Sequence, residues 1–430
     1  MFTLEDFNVK RETFNLSSGT HVVLFNRTKM PVHLLITFIA GSRFDPEGKE
    51  GLAHFMEHML LAGTKTYPTK DIMAGFIEDL GGSIGASTSS DKLDINVSLG
   101  DPHDTESAIR LVSDVLLNAL FDEKTIEKER GAILRELESK KSNPSKMLVE
   151  ISRPLVYQKT VVGKSNLGTA ESIGSITKED MLGFYHKFIK SSLATIIVAG
   201  DLSKDTLLPL LEKHLSLPQG ERPIFENDLP VFRDKVIEYA FFDNKSIETR
   251  LSFRTPNMAN SDTRTLSLLA SILAGGRTGV LIKKLRYERG LIYSINSNNG
   301  SFVDGGAFNI TTSVAKSKLQ EVLDIICIEI KRMASEGSTA DELQLVKNRL
   351  TKSTKTKMQT SEAWVDVHDY RDLYYPNDTW TIEDYLKEVE SVTIEDIKRV
   401  TEKYLTANNW YLSLAGSVDD AFVQSIKINL

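Results

Sequence analysis

The chain has 430 residues, 41% hydrophobic and 26% charged, an ordinary balance for a globular protein and too long for one typical core. A formal net charge of −7 argues against a nucleic-acid binder and leaves peptides, basic ones especially, as fitting partners. The single cysteine, Cys327, rules out an intrachain disulfide; in the apolar run Ile325-Ile326-Cys327-Ile328 it reads as a buried, inert thiol, so a metal site would have to use His and carboxylate ligands.

The start, Met1-Phe2-Thr3-Leu4-Glu5-Asp6-Phe7, has no basic or apolar leader pattern, and apolar runs such as Leu34 to Ala40 are strand-sized, so the expectation is a cytoplasmic protein without membrane association. Val22-Val23-Leu24-Phe25 and His33-Leu34-Leu35-Ile36-Thr37-Phe38 read as antiparallel neighbours joined through Arg27-Thr28-Lys29. A helix is predicted over 50–62, and it carries His54-Phe55-Met56-Glu57-His58. Positions i, i+3 and i+4 share one helix face, so both imidazoles and the carboxylate point the same way. Two neutral histidines four apart can grip one Zn²⁺ while a glutamate beside them works a water; the order H-x-x-E-H is the inverzincin signature.

Further helices are predicted over 69–80, 104–118, 123–140 and 178–189. Leu80 to Thr88 reads as a Gly-rich turn leading into a strand, and Asp94 to Leu99 alternates with period two, as a half-buried strand does. A catalytic zinc needs a third protein ligand, and it has to come from another element. Glu129 and Glu136 lie seven apart on the helix over 123–140 and therefore share a face. One could bind metal while the other steadies a ligand, or the pair could belong to a solvated acidic helix.

An internal repeat divides the chain. Ser175-Ile176-Thr177-Lys178-Glu179-Asp180-Met181 recurs as Ser391-Val392-Thr393-Ile394-Glu395-Asp396-Ile397, an offset of 216 residues (175 to 391), and Val198-Ala199-Gly200 recurs as Leu414-Ala415-Gly416 at the same offset. Two homologous modules are expected, 1–220 and 236–430, joined by a proline-rich linker over 221–235. Each is read as α+β, a mainly antiparallel sheet with helices packed on one face. Aligning Ala62-Gly63 with Ala274-Gly275 puts Leu266, Leu269 and Ala270 where the first module has His54, Glu57 and His58, so the second module is expected to carry no metal. Gly275-Gly276-Arg277-Thr278-Gly279 lacks the Lys of a P-loop and reads as a turn.

Gly51-Leu52-Ala53-His54-Phe55-Met56-Glu57-His58, followed by Gly63-Thr64 and Tyr67-Pro68, resembles the pitrilysin/insulinase family of zinc peptidases, which includes the mitochondrial processing peptidases. The resemblance spans nearly the whole chain. It implies Glu136 as third ligand of one Zn²⁺ per chain, Glu129 as the residue supporting a ligand from behind, and Glu57 as general base. It also implies that Ile84, Gly85, Ala86, Ser87 and Thr88 form an exposed edge strand on which substrate adds as a further strand; the family usually has Asn where this chain has Gly85. An Arg and a Tyr seven apart in the family's last module close over the substrate, and Arg286 and Tyr293 match them.

The largest family members hold four modules in one chain. Both half-sites in two modules here imply a homodimer with shared active sites, or a heterodimer with a related subunit. The function expected is a zinc-dependent endopeptidase cutting short or unfolded peptides inside an enclosed chamber. The alternatives are a non-catalytic peptide-binding scaffold subunit and a dedicated precursor-processing peptidase.

Overall fold

The computed structural model describes residues 5–225 and 228–430. The expectation resting on the first residues, and two positions of the proline-rich linker, lie outside the described residues. Two compact units interleave along the chain: residues up to Leu137, Lys164–Ile224 and Thr354–Asp384 form unit one, while Glu138–Gly163, Phe225–Ser353 and Tyr385–Leu430 form unit two. The units therefore do not coincide with the two sequence halves. Helix Ser361–Tyr374, from the second half, belongs to unit one, and helix Pro144–Tyr157, from the first half, belongs to unit two.

Unit one is built on six strands, β1 (Lys10–Asn15), β2 (His21–Asn26), β3 (Val32–Phe38), β4 (Ser83–Thr88), β5 (Leu93–Leu99) and β6 (Ala194–Gly200), in the spatial order β1-β2-β6-β3-β5-β4. The pairs are antiparallel except β2 with β6. The expected pairing of β2 with β3 is therefore corrected: β6 lies between them. Its run Ala194-Thr195-Ile196-Ile197-Val198-Ala199-Gly200 is buried along its whole length, and a strand apolar on both faces is hidden from water only in the middle of a sheet. The connection after β2 is tied to the end of β6, with Arg27 N–H donating to the Gly200 carbonyl at 3.0 Å and Lys29 N–H to the Asp201 carboxylate at 2.8 Å.

Both faces of this sheet are covered. The face bearing Leu34, Ile36 and Ile196 lies towards helices α1 (Leu52–Leu60), α2 (Lys70–Asp79) and α3 (Thr105–Leu117), with Thr88 at its β4 end donating to the Ala53 carbonyl at 3.5 Å. The opposite face bears Phe25, Thr37 and Thr195, and helix Ser361–Tyr374 covers it; the Phe25 ring lies 5.5 Å from Trp364, which is fully buried. Helices α1, α2 and α3, from the same sequence half, lie on one face, and the helix supplied from downstream closes the other.

Unit two carries β7 (Ile237–Phe241), β8 (Ser246–Thr255), β9 (Ile292–Phe302), β10 (Gly305–Ala315) and β11 (Trp410–Gly416) in the order β7-β11-β8-β10-β9. This matches β2-β6-β3-β5-β4 strand for strand, including one parallel pair, β7 with β11. The repeated segments occupy equivalent places. Helices Lys178–Phe188 and Ile394–Tyr404 each begin with a reciprocal Thr–Asp cap, Thr177 with Asp180 and Thr393 with Asp396. The Ala-Gly that ends each copy has a steric reason. A side chain at Gly200 would come within 3.0 Å of Val32 Cα, and one at Gly416 within 2.9 Å of Ile247 Cα.

Candidate metal centre

α1 opens under the Asp45 carboxylate, which accepts from Gly51 N–H at 2.8 Å and Ala53 N–H at 2.9 Å. Burial pushes the Asp45 carboxyl up to about 7, against the pull of those two donors. Leu52, Phe55, Met56, Met59 and Leu60 are at most 1% exposed and face the core with helical period. The remaining stripe is polar: His54 is buried, and Glu57 and His58 are half-buried.

Helix α4 (Glu123–Lys141) brings the acidic partners. It is held beside α1 by Arg130, whose guanidinium lies 5.3 Å from the Phe55 ring centroid and donates to the Ile173 and Ile176 carbonyls. Ile126, Ile133 and Leu137 are buried beneath it. Glu136 Oε2 lies 3.6 Å from His54 Nε2 and 3.8 Å from His58 Nε2. One ligand atom from each of these residues falls within 4.8 Å of the others, and this is the one such His/Cys/Asp/Glu cluster among the described residues.

That donor set fits Zn²⁺. Tetrahedral ligands at about 2.0–2.1 Å from the ion sit about 3.3 Å from one another, so adjustments of a few tenths of an ångström would bring the Glu136 contacts into range. Glu129, 9% exposed, receives His58 Nδ1 at 3.1 Å. A carboxylate there favours the proton on Nδ1 and leaves the Nε2 lone pair facing Glu136, the tautomer a metal requires. Glu57 has its carboxyl raised above the ordinary range, chiefly by burial and further by the charges of Glu136 and Asp94; a hydrogen bond from Thr88 and the neighbouring His58 pull it down.

Ile84, Gly85, Ala86, Ser87 and Thr88 lie on β4, at the open edge of the sheet. Thr88 reaches the α1 side, whereas Ser87 turns the other way and donates to Asp94 at 3.2 Å. The space beside Gly85 belongs to Asn96 across the strand pair: a Cβ at 85 would stand 3.1 Å from Asn96 Oδ1. Sequence reading missed Asp45 and Arg130. Asp45 lies six residues ahead of Gly51, the N-cap residue of the helix, outside the usual capping spacing, and Arg130 is one charge within a strongly charged helix.

In unit two the helix at the matching place, Asp262–Ala274, carries Leu266, Leu269 and Ala270, all buried. Arg286 and Tyr293 come together: the guanidinium stacks 4.6 Å from the Tyr293 ring centroid, and Tyr293 is 79% exposed rather than a core residue. The Gly275–Gly279 run is a turn filled by Arg349, which donates to the Gly275 and Ser271 carbonyls. Cys327 is buried, and burial pushes its thiol up to about 11.

The chain belongs to the pitrilysin/insulinase family of peptidases, family M16. The insulinase (peptidase family M16) model matches residues 21–170, and the peptidase M16 inactive-domain model matches 175–350. A Rickettsia felis protein described as an uncharacterized zinc protease is 30% identical over 368 residues, covering 83% of this chain and 86% of the relative. Among solved structures, a peptidase M16 inactive domain from Pseudomonas fluorescens superposes with a TM-score of 0.86 at 22% identity, covering 95% of this chain and 99% of that one. A Helicobacter pylori protease does so with a TM-score of 0.86 at 19% identity and the same coverage. These neighbours share the fold. No helix among the described residues is long and apolar enough to cross a membrane.

Proposed function

We propose that the chain is a zinc-dependent endopeptidase that hydrolyses short or unfolded peptides, with His54, His58 and Glu136 holding one Zn²⁺ per chain. The convergence of two imidazole nitrogens and one carboxylate oxygen, with Glu129 setting the His58 tautomer from behind, carries this reading. A zinc ion held there would supply a Lewis acid for the scissile carbonyl and acidify a water. Glu57, on the same face of α1 as His54 and His58, would take a proton from an attacking water and deliver it to the departing amine. The open β4 edge takes the substrate backbone as an added strand, beside α1, where Thr88 bonds the Ala53 carbonyl. Arg286 has no carboxylate partner among the described residues and, with the exposed Tyr293 hydroxyl, can donate to a substrate carbonyl. The assembly proposed is a homodimer that encloses the peptide, each site taking Arg286 and Tyr293 from the partner copy. The cytoplasm is its proposed location.

The test is metal stoichiometry with peptide cleavage on the purified chain. One zinc per chain, cleavage abolished by a chelator and restored by zinc, and intact folded proteins left uncut are expected. A metal-free chain that stays inert after zinc is added would overturn the proposal in favour of a peptide-binding scaffold subunit.

A further inference from the structure

Resting on the proposed contact of Arg286 and Tyr293 with substrate, we propose that Glu329 is a positioning residue that sets Arg286 through Lys284. Arg286 sits on an unusual turn. Lys283–Tyr287 is a π-helical turn, closed by Glu288 N–H donating to the Lys283 carbonyl at 3.0 Å, a five-residue step. One extra residue in a helical turn loosens its packing, and such turns persist only where the surroundings hold them. The surroundings here are specific. Leu285 is fully buried beneath the turn, and its carbonyl accepts from Leu291 N–H at 2.8 Å, which ties the turn to the start of β9, where Tyr293 stands.

The second anchor is electrostatic. Glu329, on helix Leu319–Glu336, is 1% exposed, a place where a carboxylate needs cations. It has two: Lys284 on one oxygen and Arg332 Nε on the other at 2.9 Å. Arg332 is itself held by Glu342 at 3.0 Å, so the carboxylate is braced against helix Ala340–Lys357. Residues two apart in a helical turn point to nearly opposite sides. Drawing Lys284 in towards Glu329 therefore turns Arg286 outward, to the side where its guanidinium meets the Tyr293 ring at 4.6 Å. Among the described residues Arg286 has only aromatic faces, those of Tyr287 and Tyr293, to orient it, so the neighbouring ion pair supplies a fixed point.

Peptide hydrolysis by the zinc-loaded full chain tests this with Arg286→Ala, Glu329→Gln, Lys284→Met and the double variant Arg286→Ala/Glu329→Gln. Arg286→Ala is expected to lower kcat/KM about a hundredfold. Glu329→Gln and Lys284→Met should each lower it about tenfold through misplacement, with zinc content unchanged. The double variant should fall within about twofold of Arg286→Ala alone, because nothing is left to position. A Glu329→Gln loss that multiplies undiminished onto Arg286→Ala, or wild-type kcat/KM in both Glu329→Gln and Lys284→Met, would overturn the inference and leave the Arg286 contact standing. A silent Arg286→Ala would remove that contact and the inference with it. Lys284→Met leaves Glu329 paired with Arg332, so it serves if Glu329→Gln fails to fold.

Discussion

Helix α1 and helix Asp262–Ala274 follow equivalent strands, β3 and β8, in sheets of the same order, yet one presents His54, Glu57 and His58 and the other buries Leu266, Leu269 and Ala270. The same architecture therefore stands with and without the polar stripe. The ion proposed at His54, His58 and Glu136 would then serve chemistry and not folding, unlike the metal of a zinc finger. The polar stripe also has a structural consequence: it leaves α1 with a half-buried carboxylate, Glu57, whose carboxyl is raised mainly because water is kept from it.

The sharpest way to break this comparison is to remove the proposed base and keep the proposed ligands. Glu57→Gln should retain one zinc per chain and lose about 10³-fold or more in kcat, read from metal analysis and peptide cleavage side by side. Normal turnover with bound metal would take Glu57 out of that role. Stripping the metal with a chelator should abolish cleavage while the far-UV circular dichroism stays unchanged. If the circular dichroism collapsed, the ion would be structural after all.

The helices supplied across the sequence halves come next. Trp364 is fully buried against Phe25 and Phe7, and its indole N–H donates to the Met358 carbonyl at 3.0 Å. Trp364→Ala should destabilise by about 3–5 kcal/mol in denaturant unfolding, from lost burial and the cavity left behind. A change under about 1 kcal/mol would mean that the second face of the unit-one sheet does not depend on this helix. Smaller again is the effect expected for Glu129→Gln. It keeps the size and removes the charge that fixes His58, so zinc affinity should drop about 10–100-fold in competition with a chromogenic chelator. Unchanged affinity would show that His58 keeps its tautomer without help.

The local elements were legible in the sequence because they are local. The apolar spacing of Leu52, Phe55, Met56 and Met59 and the Thr177–Asp180 cap each act within one turn or two of helix, and the helices expected over 69–80 and 104–118 are present as Lys70–Asp79 and Thr105–Leu117. Glu129 and Glu136 were legible as sharing a face, and the resemblance chose between them. What could not be read was long-range. Nothing near Val22 or His33 signals that β6, some 160 residues on, is inserted between their strands; only the doubly apolar run at Ile196 hints at a central place. Nor does the helical pattern of 361–374 say which sheet it covers. Its membership of unit one rests on pairings such as Arg11 with Asp372 at 3.0 Å, which no local pattern encodes.

The smallest expected effect lies on the metal-free side of the comparison. Cys327 is 2% exposed, in the apolar core of unit two, and its thiol is pushed up to about 11 by burial. At neutral pH it is therefore protonated, and a protonated, buried thiol neither attacks reagents nor binds metal. Native protein at pH 8 should resist a chromogenic disulfide reagent, and Cys327→Ala should bind the same single zinc with the same affinity. The sign of the alkaline dependence follows. The unfolded thiol ionises near its ordinary value, below the folded one, so over the interval between them the folded state holds the extra proton and loses stability as pH rises. The wild type should weaken between about pH 9 and pH 11 more than Cys327→Ala does. Rapid labelling in native conditions, or zinc loss on labelling, would instead make the cysteine part of the metal chemistry and undo the division between a nitrogen-and-oxygen site in one unit and an inert core in the other.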